Sequence, residues 1–262
     1  MFKKTAETES YQHLARSLQG TYHALIIGNN NYTHIPNLLT PKNDAIVIEQ
    51  ILRNQYGFNT TLLLDADRTQ LLKAISRLQK KLNRQDNVLI YYAGHGYFDE
   101  NMNSAYWLPV DAEENDDINW IRSERLTAKL KVFPSNHVLI VADSCYSGTL
   151  TRGLSISDIN KSSRIRYLEK MVKNPSRTLL ASGGNEPVSD SGGHGHSIFA
   201  QMFIDGLKNT EDLVFTAEEL YVNQIKENVS GNAAQTPEYH RIKNSGHTGG
   251  DFVFSRIVTE KN

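Results

Sequence analysis

The chain has 262 residues, of which 39% are hydrophobic, and its formal net charge is −1. This length can supply one large α/β core or two small ones, and the balanced charge excludes a bulk electrostatic attraction to nucleic acid or to anionic membranes. The sequence shows no apolar run of the roughly 20 residues that span a bilayer and no apolar segment of signal-peptide type. The single cysteine, Cys145, excludes an intrachain disulfide framework and fits a reducing compartment, so we expect a cytoplasmic protein.

Strand and helix patterns alternate after residues 1–21, which are polar and are expected to form an N-terminal arm. Thr40 followed by Pro41 is typical of a helix start, and Thr216 with Glu219 has the spacing of a capping box. Strands separated by helices indicate one mostly parallel sheet of about six strands, with helices on both faces. The predicted strands are 23–28, 59–64, 88–92, 137–141, 177–181 and 251–255, and the predicted helices are 40–53, 69–82, 197–207 and 216–229.

Two short segments follow buried strands and carry the chemistry. Residues 92–96 read Tyr-Ala-Gly-His-Gly, and residues 142–148 read Ala-Asp-Ser-Cys-Tyr-Ser-Gly. In a parallel sheet the ligand site lies beyond the carboxyl ends of the strands, so His95 and Cys145 are expected at one site. A thiol and an imidazole delivered into Gly-rich turns are what thiol-based acyl transfer requires.

Both segments resemble the histidine and cysteine motifs of the caspase-like cysteine peptidases, more closely those of the metacaspase and prokaryotic branch than those of animal caspases. Further matches, in the same order along the chain, are 24–28 with Tyr32, 43–45, 107–111, 181–186 and 250–254. The resemblance implies a caspase-like three-layer sandwich over residues 22–255. It also implies a large-subunit-like part (22–150), a basic linker (151–176), a small-subunit-like part (177–255) and a tail (256–262).

The resemblance assigns Cys145 as the nucleophile and His95 as the acid/base of a dyad. Protonated His95 favours the thiolate and later protonates the leaving amine. The backbone N–H groups of Gly96 and Cys145 are the implied donors to the oxyanion. Taken singly, His95 could be a structural turn residue and Cys145 a small buried hydrophobe. The sequence shows no third residue that would orient His95.

Asp44 and Asp143 are the expected substrate-binding residues. In metacaspases, acidic residues at these two motif positions line the pocket for the residue before the cut bond, which implies a protein or peptide substrate with Arg or Lys there. Ala93 stands where metacaspases usually carry Ser, so one hydrogen bond to a guanidinium is missing. The alternatives are a helix-dipole role for Asp44 and a turn-capping role for Asp143.

Residues 149–176 are basic and lack apolar periodicity, so we expect an exposed connection with a helix near 167–172. A peptidase specific for basic residues could cut itself there, and the candidate sites are Arg152, Arg164 and Arg166. The alternative is a solvated loop without a role.

Two other motifs could suggest metals. His194 and His196 could form a metal site with Cys145, but a glycine loop or the edge of the substrate pocket is the favoured interpretation. The acidic run 111–117 could bind calcium, which activates several metacaspases, but it lacks the EF-hand pattern and a solvated loop is favoured. We therefore expect no metal or cofactor, and a monomer that could respond to an activating protein. The competing functions are a catalytically silent interaction module and a related thiol peptidase of different specificity.

Overall fold

The structure is a computed structural model that describes residues 20–144, 161–183 and 195–257. Within these ranges the strands are β1 (Tyr22–Gly28), β2 (Asn59–Leu64), β3 (Asn87–Ala93), β4 (Gly96–Asp99), β5 (Ser104–Trp107), β6 (Ile121–Arg122), β7 (His137–Asp143), β8 (Ser176–Ala181), β9 (Val214–Thr216), β10 (Glu238–Arg241) and β11 (Val253–Ser255). The helices are α1 (Pro41–Tyr56), α2 (Arg68–Lys81), α3 (Ser123–Lys131), α4 (Lys161–Lys173), α5 (Ile198–Asn209), α6 (Ala217–Leu220) and α7 (Lys226–Asn232), with a π-helical turn, Tyr221–Ile225, between the last two.

A six-stranded sheet in the order β10-β8-β7-β3-β1-β2 forms the centre of the molecule. The pairs β1–β2, β1–β3, β3–β7 and β7–β8 are parallel, and only β10 runs antiparallel to its neighbour β8. The mostly parallel sheet expected from the sequence is confirmed.

Helices cover both faces of this sheet, because alternate residues of each buried strand point to opposite sides. On β3, Tyr91 packs with Phe203 of α5 in one core, whereas Tyr92 packs with Leu71 of α2 in the other. Each large apolar side chain buried in this way contributes about 1.5–3 kcal/mol relative to exposure. The resulting three-layer α/β sandwich is the predicted architecture.

The ends of the first two helices follow from local chemistry. Pro41 occupies the first helical position of α1, and Gly57, with φ of 70°, ends that helix by donating its N–H to the Leu52 carbonyl. Helix α2 begins earlier than predicted, because Asp67 and Gln70 form a capping box that the sequence analysis did not identify.

The predicted strand at 251–255 is not part of the central sheet. Its observed core, β11, pairs antiparallel with β9 in a separate two-stranded sheet, and the sixth central strand is β10 instead. The aromatic rings explain this placement. Phe254 stacks on Phe215 of β9, with ring centroids 5.2 Å apart, and meets Tyr56 of α1 at 5.8 Å.

The helix predicted near 167–172 is present as part of α4. This helix is packed, which corrects the expectation of an exposed connection for residues 161–173. Leu168 of α4 is fully buried against Val214 and Val253. Arg164 forms ion pairs with Glu219 and with Asp212. The N-terminal arm 1–19, residues 145–160 of the linker region and the tail 258–262 lie outside the described residues.

Among the helices that the structure describes, none is both long enough and apolar enough to cross a bilayer.

Candidate active site

Strands β3 and β7 end side by side. Ala93, the last residue of β3, is paired with Asp143, the last residue of β7. The N–H of Gly94 donates to the Asp143 carbonyl at 3.3 Å. His95 therefore follows one strand end by two residues, and the neighbouring strand continues into buried Ser144, the residue before Cys145. Cys145 itself lies outside the described residues.

Backbone and side-chain hydrogen bonds hold His95 in place. Its backbone N–H donates to the hydroxyl of Tyr32 at 2.7 Å, and its Nε2 lies 2.8 Å from the carbonyl oxygen of Pro36. A carbonyl oxygen can only accept, so Nε2 carries the proton and Nδ1 is the basic nitrogen of the neutral imidazole. The Tyr32 ring meets the imidazole edge-on, with centroids 4.7 Å apart.

The carbonyl of Pro36 is a hydrogen-bond partner of the candidate acid/base that sequence reasoning missed. It lies 59 positions before His95 and acts through its backbone, so no side-chain motif could have identified it. Tyr32 appeared only as part of the motif resemblance. Burial raises the pKa of the Tyr32 phenol, so the hydroxyl stays protonated at neutral pH.

Close contacts surround the two glycines beside His95. A Cβ atom on Gly94 would lie 2.7 Å from the Tyr32 hydroxyl oxygen and 3.0 Å from that of Tyr92. The Tyr92 hydroxyl in turn lies 2.7 Å from the His95 carbonyl oxygen. At Gly96, the first residue of β4, a Cβ would stand 3.2 Å from the Cβ of Ser144, so Gly96 lies directly against the residue that precedes Cys145.

The two predicted substrate-binding carboxylates converge on one serine. Asp44 lies in the first turn of α1 and Asp143 ends β7, and both are buried. The hydroxyl of Ser197 donates to Oδ2 of Asp143 at 2.5 Å, and the Ser197 N–H points to Oδ2 of Asp44 at 3.5 Å. The pKa of the Tyr91 phenol is raised mainly by burial, and the negative charges of Asp143 and Asp44 raise it further. The structure therefore brings the carboxylates of Asp44 and Asp143 together at Ser197 in one buried, acidic cluster, the candidate acidic pocket.

Two neighbours of these carboxylates were not identified as site residues by sequence. Ser197 is the N-cap of α5, where its hydroxyl also accepts the N–H of Ala200 at 2.9 Å. His196, which the sequence analysis assigned to a glycine loop or to the edge of the substrate pocket, has Nδ1 2.5 Å from Oδ1 of Asp44. Burial, the largest influence, lowers the pKa of His196. A carboxylate in hydrogen-bond contact acts in the opposite direction, because it stabilises the imidazolium.

The three candidate self-cleavage sites differ in setting. Arg164 and Arg166 lie in α4, and the guanidinium of Arg164 is held by Glu219 and lies 3.0 Å from Asp212. Proteolysis concentrates at exposed loops rather than in packed helices, so neither position is a good cleavage site in this conformation. Arg152 lies outside the described residues.

The described residues of the two motifs that could suggest metals do not form a set of metal ligands. In the described part of the chain, no group of three His, Cys, Asp or Glu side chains is arranged to hold an ion. In the acidic run 111–117, Asp111 accepts the N–H of Arg68 at 2.9 Å and Asp116 closes a turn on Ile118. His194 lies outside the described residues.

A groove of about 830 Å³ lies elsewhere, between edge strand β2 and helix α2. None of the candidate site residues lines it, so its size says nothing about the chemistry at His95.

A family model and two curated relatives match this chain. A family model described as the caspase domain matches residues 21–246. The human mucosa-associated lymphoid tissue lymphoma translocation protein 1 is 38% identical over 89 residues, which are 34% of this chain and 10% of that protein. Its mouse homologue is 37% identical over the same length. The chain thus spans about a tenth of the length of the curated relatives it matches.

A solved structure shares the overall fold of this chain. The crystal structure of protein GSU0716 from Geobacter sulfurreducens superposes with a TM-score of 0.59 and 19% identity, and the match covers 87% of this chain and 97% of that one. At this identity the likeness shows the fold alone.

Proposed function

Because the chain belongs to the caspase-domain family, we propose that it is a cysteine endopeptidase that hydrolyses proteins after Arg or Lys, with Cys145 as nucleophile and His95 as acid/base. One observation carries the proposal. The imidazole of His95 is fixed by the Pro36 carbonyl at the end of β3, beside the end of β7 that leads into Cys145.

The reaction follows from the tautomer that Pro36 selects. Nδ1 of His95 takes the proton of the Cys145 thiol, and the thiolate adds to the substrate carbonyl. The N–H groups of Gly96 and Cys145 stabilise the resulting oxyanion. The intermediate collapses as His95 returns the proton to the leaving amine, which leaves an acyl-enzyme. A water molecule, deprotonated by Nδ1, then hydrolyses the thioester and restores the thiol.

The acidic pocket supports basic specificity. Hydrogen bonds to charged groups contribute about 1.5–3 kcal/mol each, which corresponds to about 10- to 150-fold in kcat/KM. We expect Asp143→Asn and Asp44→Asn each to lower kcat/KM for an Arg peptide by about this factor. Glu114→Gln, which removes an exposed carboxylate outside the site, is the matched control and leaves it unchanged.

Fluorogenic peptides that differ only in the residue before the cut bond test this function. Turnover of Arg and Lys peptides but not of Asp peptides, abolished in Cys145→Ala and in His95→Ala, is the expected result. Turnover of Asp peptides overturns the pocket assignment and leaves the dyad. Inertness of folded wild-type protein toward every peptide overturns the enzymatic function and favours an interaction module.

We also propose Arg152 as the self-cleavage site, because cutting at Arg164 or Arg166 requires α4 to unwind. Mass spectrometry of wild-type and Cys145→Ala protein reports the position directly. Fragments that persist in Arg152→Ala contradict this assignment.

A further inference from the structure

Both carboxylates of the acidic pocket are covered by consecutive residues of this chain. The side chain of Asp44 is only 1% exposed, and the imidazole of His196 that contacts it is 12% exposed. Oδ2 of Asp143 is engaged by the next residue, Ser197, at 2.5 Å. A substrate guanidinium therefore cannot reach Oδ1 of Asp44 while His196 keeps this position.

The segment 195–197 is fixed from two sides. The side-chain amide of Asn43, next to Asp44 on α1, donates to the Gly195 carbonyl at 2.8 Å. Ser197 caps α5 through its contact with the Ala200 N–H. Gly195 has φ of 77°, a left-handed conformation that favours glycine and turns the chain so that His196 faces α1. The contact between His196 and Asp44 is thus built into the loop geometry.

Only a proton on Nδ1 of His196 can form the hydrogen bond to Oδ1 of Asp44. A carboxylate only accepts, so Nδ1 of the imidazole is the donor, in both the neutral and the charged form. The charged groups that contact or influence His196 are Asp44 of α1, which it touches, and Lys208 and Asp205 of α5. A substrate guanidinium carries a permanent charge and pairs with a carboxylate in two places, so it can displace the imidazole of His196.

We propose that His196 is an internal competitor for the substrate's basic side chain. It occupies Oδ1 of Asp44 and must leave before Arg or Lys can bind, so it lowers the affinity of the site for a basic side chain. This inference rests on the proposed basic specificity. It adds that the pocket is occupied by the protein's own imidazole in the free state, and it makes His196 a specificity-determining residue.

Binding of 4-aminobenzamidine, a small amidinium probe, tests the proposal without turnover. We compare three folded proteins by isothermal titration calorimetry, all with Cys145→Ala. The first has His196, the second His196→Ala and the third His196→Asn, whose amide can donate from the position of Nδ1. Because a hydrogen bond to a charged group must be given up, removing the competitor is expected to tighten binding about ten-fold or more. The Asn variant keeps the wild-type affinity.

The outcomes separate the two proposals. Equal affinities in all three proteins, or weaker binding after His196→Ala, overturn the competitor role and leave the acidic pocket in place. No saturable binding of the probe to any of the three overturns the basic specificity, and the competitor role with it. Tighter binding in the Ala variant alone is the result that the structure predicts.

Discussion

The hydroxyl of Tyr32 offers the sharpest test of how the candidate acid/base is held. It accepts the backbone N–H of His95 at 2.7 Å, and Tyr32 is only 8% exposed. Tyr32→Phe keeps the ring against the imidazole but leaves this N–H without its acceptor. An unsatisfied, largely buried donor costs about 1–3 kcal/mol. We therefore expect the free energy of unfolding to fall by about that amount, and kcat/KM for an Arg peptide to fall with it as His95 loses its position.

Tyr106 provides a matched control in the same cluster of packed side chains. Its buried hydroxyl has no hydrogen-bond partner among the described residues. Tyr106→Phe therefore removes the same atom without leaving a donor unsatisfied, and its effect on unfolding is expected to stay within about 0.5 kcal/mol. Urea unfolding measures the change in the free energy of unfolding, and turnover of an Arg peptide at fixed pH measures the change in kcat/KM. Equal losses for both variants, or a fully active and equally stable Tyr32→Phe protein, refute the reasoning.

Two further predictions concern stability. Arg164→Ala removes a half-buried ion pair with Glu219 and is expected to lower the free energy of unfolding by about 1–3 kcal/mol without changing kcat/KM, whereas the exposed Arg166→Ala on the same helix leaves the urea midpoint unchanged. Burial raises the pKa of Asp251 to about 7, above its unfolded value of 3.8. The folded state then binds the extra proton between these values, so stability is highest below pH 4 with respect to this group and falls by about 1–4 kcal/mol as pH rises to 8. Chemical denaturation across this range shows a smaller fall for Asp251→Asn, and an identical pH dependence in both proteins contradicts the assignment.

The central sheet could be predicted because its signals are local. The strand at 59–64 has the predicted bounds. The preceding helix continues to Tyr56, three residues beyond its predicted end, and stops at Gly57 because the left-handed turn there favours glycine. The strand at 251–255 was assigned to the wrong sheet because its partner is chosen by aromatic contacts with Phe215 and Tyr56, which are distant in sequence. Hydrophobic periodicity predicts that a segment forms a strand, but it does not predict which strand that segment pairs with.

The candidate site was accessible to sequence reasoning only where side chains carry the chemistry. His95, Asp44 and Asp143 are typical of a motif, and the structure places the two carboxylates on one serine. The carbonyl of Pro36 left no signal, because every residue has a carbonyl and its usefulness depends on where the loop folds. The contact between His196 and Asp44 was equally hidden, since it depends on how the segment before α5 packs against α1.

The register between β3 and β7 fixes where the chain leaves the sheet toward the two residues of the proposed dyad. Ala93 and Asp143 are paired at the ends of β3 and β7, and His95 and Cys145 each follow their strand end by two residues. A shift of one residue in this pairing would turn every side chain of one strand to the other face and bury polar ends in the apolar cores. Because both faces of the two strands are packed, that slip is strongly disfavoured. The hydrophobic burial that stabilises the sheet thereby also fixes the level at which β3 and β7 end, and the contacts of His95 with Tyr32 and Pro36 then orient its imidazole.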